Sequence, residues 1–76
     1  MNIKEKIGTR VKVLRELKGL TQKDLAYAAD LDRSYIASIE NGVRNVSCVN
    51  IEKIANALNV SVKTFFDDKL FGNDEQ

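Results

Sequence analysis

Arg33, Ser34, Tyr35 and Ser38 place a guanidinium, two small hydroxyls and a phenol within six residues of chain. That set suits the edges of nucleobases better than it suits a reaction centre. A guanidinium offers paired donors to O6 and N7 of guanine, and small hydroxyls let a helix approach closely. Arg33 is therefore a candidate base reader, with phosphate contact or a plain surface charge as the alternatives. Tyr35 lies on a flank, where it either touches a thymine methyl, a sugar or a phosphate, or packs within the domain. Gln22, Lys23, Arg44, Asn45 and Ser47 carry donors suited to phosphate oxygens. At Gln22 the free N–H groups of a helix start would face the same anion; its alternative is an ordinary surface role. Arg44 leads this group because it sits in a loop between Gly42 and the next helix. Ser47 serves mainly as a helix cap.

Other chemistries lack their parts. The chain has no His, and Cys48 is its one cysteine, so neither an internal disulfide nor a zinc site is expected. Cys48 has no evident activating base and the acidic residues are scattered, so no catalytic residue, enzyme activity or cofactor is expected. A reducing cytoplasm is the natural setting, with an intermolecular disulfide through Cys48 as the alternative. The start, MNIKEKIG, lacks the apolar core of a signal peptide, and no apolar run approaches the roughly 18 residues of a membrane span. A chain of 76 residues with a 43% hydrophobic share fits one globular domain. The net charge of +1 hides an asymmetry: Met1–Arg44 carries +3 and Asn45–Gln76 carries −2. A local basic face can meet DNA on a nearly neutral molecule, although an ordinary solvated surface is the bland alternative.

The elements that must position these groups read as five helices. Ile3, Ile7, Val11 and Leu14 form a helical stripe over about Ile3–Lys18, stopped at Gly19. Thr21 with Asp24 forms a capping box, and Leu25, Ala26 and Ala29 give the second helix a narrow apolar face. Asp30 takes the turn, Leu31 plugs the angle, and Asp32 caps a third helix anchored by Ile36 and Ile39 and stopped at Gly42. Ser47 caps a fourth helix with the stripe Ile51, Ile54, Ala55 and Leu58, where Cys48 or Val49 packs at the start and Asn59 ends it. Ser61 caps a short fifth helix containing Val62, Phe65 and Phe66. Two helices with almost nothing between them, in TQKDLAYAADLDRSYIASIENG, let the second enter a major groove. The expected organisation is a DNA-binding domain over residues 1–66 and an acidic tail over 67–76.

The blocks RVKVLRELKGLTQKDLA, SYIASIENGVRN and IEKIANALNVSVKTFF, in that order and spacing, resemble the helix-turn-helix family of phage repressors and xenobiotic-response-element-type regulators. The resemblance implies a compact five-helix, all-α repressor-like domain that binds double-stranded DNA to regulate transcription. It implies Gln22 on phosphate, Arg33, Ser34 and Ser38 on bases, and Asn41, Arg44 and Asn45 on the DNA backbone. It also implies a partly buried ion pair between Arg15 and Glu40. Asp30 stands where the family commonly has Gly, Val46 where it has Pro, and Ala37 where it often has Ser; these departures weaken the transfer of individual contacts. More narrowly, LDRSYIASIENGVRNVS resembles the controller proteins of restriction–modification systems, which bind near-palindromic operators as homodimers and control their own genes. RNA polymerase is a further partner such a role implies. An antitoxin or phage-type repressor with a protein partner is the alternative. With no sensor domain in view, self-association is expected to use this same domain. Val60, Val62, Phe65, Phe66, Leu70 and Phe71 exceed what a peripheral helix needs; Phe65 is assigned to the core and Phe66, Leu70 or Phe71 to the dimer interface, with simple cover of the small core as the alternative.

Overall fold

Short polar side chains start the helices of this chain, and residues in the left-handed region end the first four of them. The computed structural model describes residues 1–72, in the order α1 Ile3–Leu17, α2 Gln22–Ala29, α3 Arg33–Glu40, α4 Cys48–Ala57 and α5 Val62–Phe66, followed by a 3-10 turn at Lys69–Phe71. No strand occurs among the described residues. The five helices and their all-α packing match the expected fold. Thr21 and Asp24 form the anticipated capping box, each side chain accepting the other's backbone N–H at 3.0 Å. Asn2 and Glu5 form a second box at the start of α1, which the sequence reading overlooked. Ser47 and Ser61 accept the N–H groups of Asn50 and Thr64. Asp32 departs from expectation: it has extended N-cap backbone but makes no side-chain cap bond. Packing holds that entry instead, through half-buried Leu31 and fully buried Ile36.

Gly19, Asp30, Gly42 and Asn59 have φ of 71°, 58°, 77° and 59°. After each, the next N–H turns back to the helix: Leu20 to the Arg15 carbonyl, Leu31 to Ala26, Val43 to Ser38 and Val60 to Ala55, at 2.9 to 3.2 Å. Terminal carbonyls that would otherwise lack partners are satisfied this way. Asp30, like Asn59, is costly here, because a side chain in this region is disfavoured by roughly 1–2 kcal/mol. Its carboxylate makes no hydrogen bond among the described residues, so the Leu31 bond and local packing hold the turn.

The core joins Val11 and Leu14 of α1 to Leu25, Ala26 and Ala29, Ile36 and Ile39, Ile54, Ala55 and Leu58, and Phe65. Two expectations fail here. Ile3 is 56% exposed, so the buried stripe of α1 begins at Ile7. Cys48 and Val49 are both exposed, while Val46 packs on the core. Val46 directly precedes the Ser47 cap, the place from which an apolar side chain pairs with the fourth helical residue, here Ile51. Gly8 sets the crossing of α1 and α3. A Cβ there would lie 2.1 Å from the Ile39 carbonyl oxygen and 3.2 Å from Glu40 Cα, so only a glycine admits this backbone approach. Among the described residues no helix is long and apolar enough to cross a membrane.

Candidate nucleic-acid interface

Ile36 and Ile39, 0% and 1% exposed, pin α3 to the core and turn its opposite side outward. Arg33 and Ser34 stand exposed at its start, and Arg33 forms no ion pair among the described residues. Two hollows flank them. One, of about 490 Å³, is lined by Asp30, Leu31, Asp32, Ser34, Tyr35, Arg44 and Asn50. The other, of about 590 Å³, brings Arg33 together with Gln22, Lys23, Thr21 and the α1–α2 turn. The first mixes carboxylates with a guanidinium and hydroxyls, which suits base edges offering both donors and acceptors. The second gathers cationic and amide donors around a helix start, which suits a phosphate. Lys23, Asn41, Arg44, Asn45 and Ser47 are all exposed. Asn41 is set apart from both hollows, in a third with Glu5, Thr9 and Gly42.

Several candidate side chains are already engaged. The Arg44 guanidinium lies 5.0 Å from the centroid of the Tyr35 ring, a cation–π distance, with Nε 3.4 Å from Ser38 Oγ. Asn50 Nδ2 donates to the Tyr35 hydroxyl at 2.9 Å, a partner that sequence spacing did not suggest. Tyr35 thus packs against the core, the second of its two anticipated roles, and also lines the first hollow. Ser38 differs from expectation. It is half-buried and donates to the Tyr35 carbonyl at 2.8 Å, so its proton is held within its own helix. Ser34 is exposed and its hydroxyl has no hydrogen-bond partner among the described residues, and Ser47 accepts the Asn50 N–H while keeping its own proton to donate.

The resemblance-based ion pair is present. Arg15 Nε and Nη2 meet Glu40 Oε2 and Oε1 at 2.6 and 2.9 Å, with the side chains 11% and 3% exposed. Arg15 Nη1 also donates to the Leu20 carbonyl at 2.8 Å. The hydrogen bond to Glu40 raises the guanidinium pKa further, outweighing the opposing effect of burial. Gln22 joins this network by donating to Glu40 Oε1 at 3.1 Å. It is therefore more than a surface polar residue: one amide proton is spoken for and the other faces no partner among the described residues. One buried carboxylate fastens α1, the end of α3 and the first residue of α2.

At the far end, Phe65 is fully buried as expected, while Phe66, Leu70 and Phe71 are half-buried. Phe66 stacks edge-on against Phe65 and Phe71, with centroids 5.0 and 4.9 Å apart. Each of the three keeps part of its surface in solvent. Residues 73–76 of the acidic tail lie outside the described residues.

A helix-turn-helix family model matches residues 11–65 of this sequence. The control protein C.MunI of Mycoplasma sp is 47% identical over 68 residues, spanning 88% of this chain and 92% of that protein. The restriction-modification controller protein C.AhdI from Aeromonas hydrophila superposes with a TM-score of 0.80 at 48% identity, over 83% of this chain and 96% of its own. The controller protein C.Esp1396I, as a tetramer in complex with its natural 35 base-pair operator, superposes with a TM-score of 0.83 at 40% identity, over 88% of each chain.

Proposed function

Since the chain belongs to the helix-turn-helix family, we propose that it is a sequence-specific DNA-binding transcriptional regulator of the restriction–modification controller type. It acts in the bacterial cytoplasm as a homodimer on a near-palindromic operator and controls restriction–modification genes including its own. The observation that carries this reading is the exposed start of α3, with Arg33 and Ser34 between two hollows, one lined by donors and acceptors and the other by donors. A relative matched over 88% of both chains is bound to its operator as a tetramer, which supports the same use of this scaffold.

α3 enters the major groove with Arg33 on a guanine edge and Ser34 and Tyr35 against neighbouring bases. Arg44, Asn45, Ser47 and Asn41 hold the DNA backbone, and Gln22 with Lys23 holds a phosphate at the start of α2. Ser38 takes part less directly, because its hydroxyl must leave the Tyr35 carbonyl before it donates to a base. One unit reads few base pairs, so two copies spaced about 34–36 Å along the duplex double the contacts. Phe66, Leu70 and Phe71 form the self-association surface, supported by their residual exposure beside a complete core.

Footprinting on the DNA upstream of the gene tests the reading. Arg33→Ala is expected to relax discrimination at one operator position by about 1–3 kcal/mol, whereas Arg44→Ala weakens all sequences more evenly. Equal loss on every sequence for Arg33→Ala would reassign it to phosphate. No protection of any upstream site would remove the regulator itself.

A further inference from the structure

α5 has five residues, too few to sustain itself. The Thr64 and Phe66 carbonyls accept from the backbone N–H groups of Asp67 and Asp68, and Arg10 adds donors to this end of the helix from α1. Its Nε donates to the Phe65 carbonyl at 2.7 Å and its Nη2 to the Thr64 carbonyl at 2.9 Å. Its Nη1 reaches Asp68 Oδ1 at 3.4 Å. The other oxygen of Asp68 accepts the Leu70 N–H at 3.0 Å and so caps the 3-10 turn. That turn carries Leu70 and lays Phe71 against Phe66. Lys6 and Lys69 line the same hollow as Asp68, yet neither pairs with it among the described residues. Arg10 therefore fixes the carboxylate, and the carboxylate fixes the aromatic face.

We propose that Arg10 and Asp68 are positioning residues for self-association, holding Phe66, Leu70 and Phe71 in the arrangement a second copy meets. This rests on the assignment of those three residues to the dimer surface. The two groups touch neither DNA nor the partner copy in this scheme. They act by setting where α5 ends and where the following turn begins.

The test compares full-length wild type, Asp68→Asn, Asp68→Ala and Arg10→Lys by sedimentation equilibrium. Binding to a single operator half-site and thermal unfolding are measured alongside, at concentrations where the wild type is monomeric. Asp68→Ala is expected to weaken dimerisation by about tenfold or more, with half-site affinity and monomer melting close to wild type. Asp68→Asn keeps an acceptor for the Leu70 N–H and should fall between. Arg10→Lys keeps the charge without the fork and should weaken dimerisation as Asp68→Ala does, with a lower melting temperature because its bonds to the α5 carbonyls are also lost; should it fail to fold, the Asp68 pair decides. An Asp68→Ala dimer as tight as wild type overturns the inference alone. So does a parallel loss of half-site binding and monomer melting, which marks a merely structural role. A wild-type chain that stays monomeric at every concentration overturns the self-association surface and this inference with it.

Discussion

Two arginines five residues apart on α1 hold opposite ends of the molecule, and they do so differently. Five residues turn a helix by about 140° net, so Arg15 and Arg10 face different neighbours. Arg15 forks onto Glu40, a carboxylate only 3% exposed, and ties the end of α3 to the start of α2. Arg10 forks mainly onto backbone carbonyls of α5 and reaches Asp68, which is 32% exposed. The first attachment is a buried charge that cannot lose its partner cheaply. The second can be partly replaced by water. The end that reads DNA in our proposal is therefore held rigidly, and the end that meets a second copy is held adjustably.

Removing Arg15 should have the largest effect. Arg15→Met leaves Glu40 charged and unpaired, at a cost of about 3–5 kcal/mol in urea unfolding. Adding Glu40→Leu should recover much of that loss; a double variant no better than the single would mean the ion pair does not govern this end. Next comes Gly8→Ala, where two effects oppose. Helix propensity favours alanine by about 1 kcal/mol, but the new methyl meets the Ile39 carbonyl backbone at 2.1 Å. The clash should win, with a net loss of about 1–3 kcal/mol, and a stabilised variant would show that α1 can lift off α3 freely.

Arg10→Gln should cost less than Arg15→Met, about 1–2 kcal/mol, since the freed groups regain water. Equal losses at the two arginines would erase the contrast between the two ends. The smallest effect concerns pH. Hydrogen bonds with Thr21 hold the Asp24 carboxyl below the ordinary carboxylate range. A depressed folded value stabilises the protein above the unfolded value, and that contribution is lost as pH falls through the folded one. The advantage of wild type over Asp24→Ala should thus shrink from neutral to strongly acid pH, and a constant gap would leave the carboxylate's charge without a role.

Local signals carried most of the fold. Capping residues such as Thr21 and Ser61, the stops at Gly19, Gly42 and Asn59, and the inward pair Ile36 and Ile39 act within a turn or two of sequence. What stayed hidden depends on how helices cross. Gly8 has meaning only where α1 meets Ile39, and Arg10 finds its acceptors more than fifty residues away. Ser38 read as outward by helical spacing, but its hydroxyl turned to a nearby carbonyl under Arg44. Val49 lost its place to Val46 because the entry into α4 runs across the core one residue before the cap. The Arg15–Glu40 pair came from the family resemblance and not from spacing.

The reversal at Asp30 has an evolutionary corollary. Its φ of 58° and the Leu31 bond to Ala26 leave the α2–α3 link no slack, so α3 cannot be re-aimed by small adjustments of the connector. A residue inserted within α3 would instead rotate all that follows it by about 100°, turning away the face that our proposal aims at DNA. Descendants of this chain should acquire new binding preferences by swapping side chains along a fixed rail, keeping its heading.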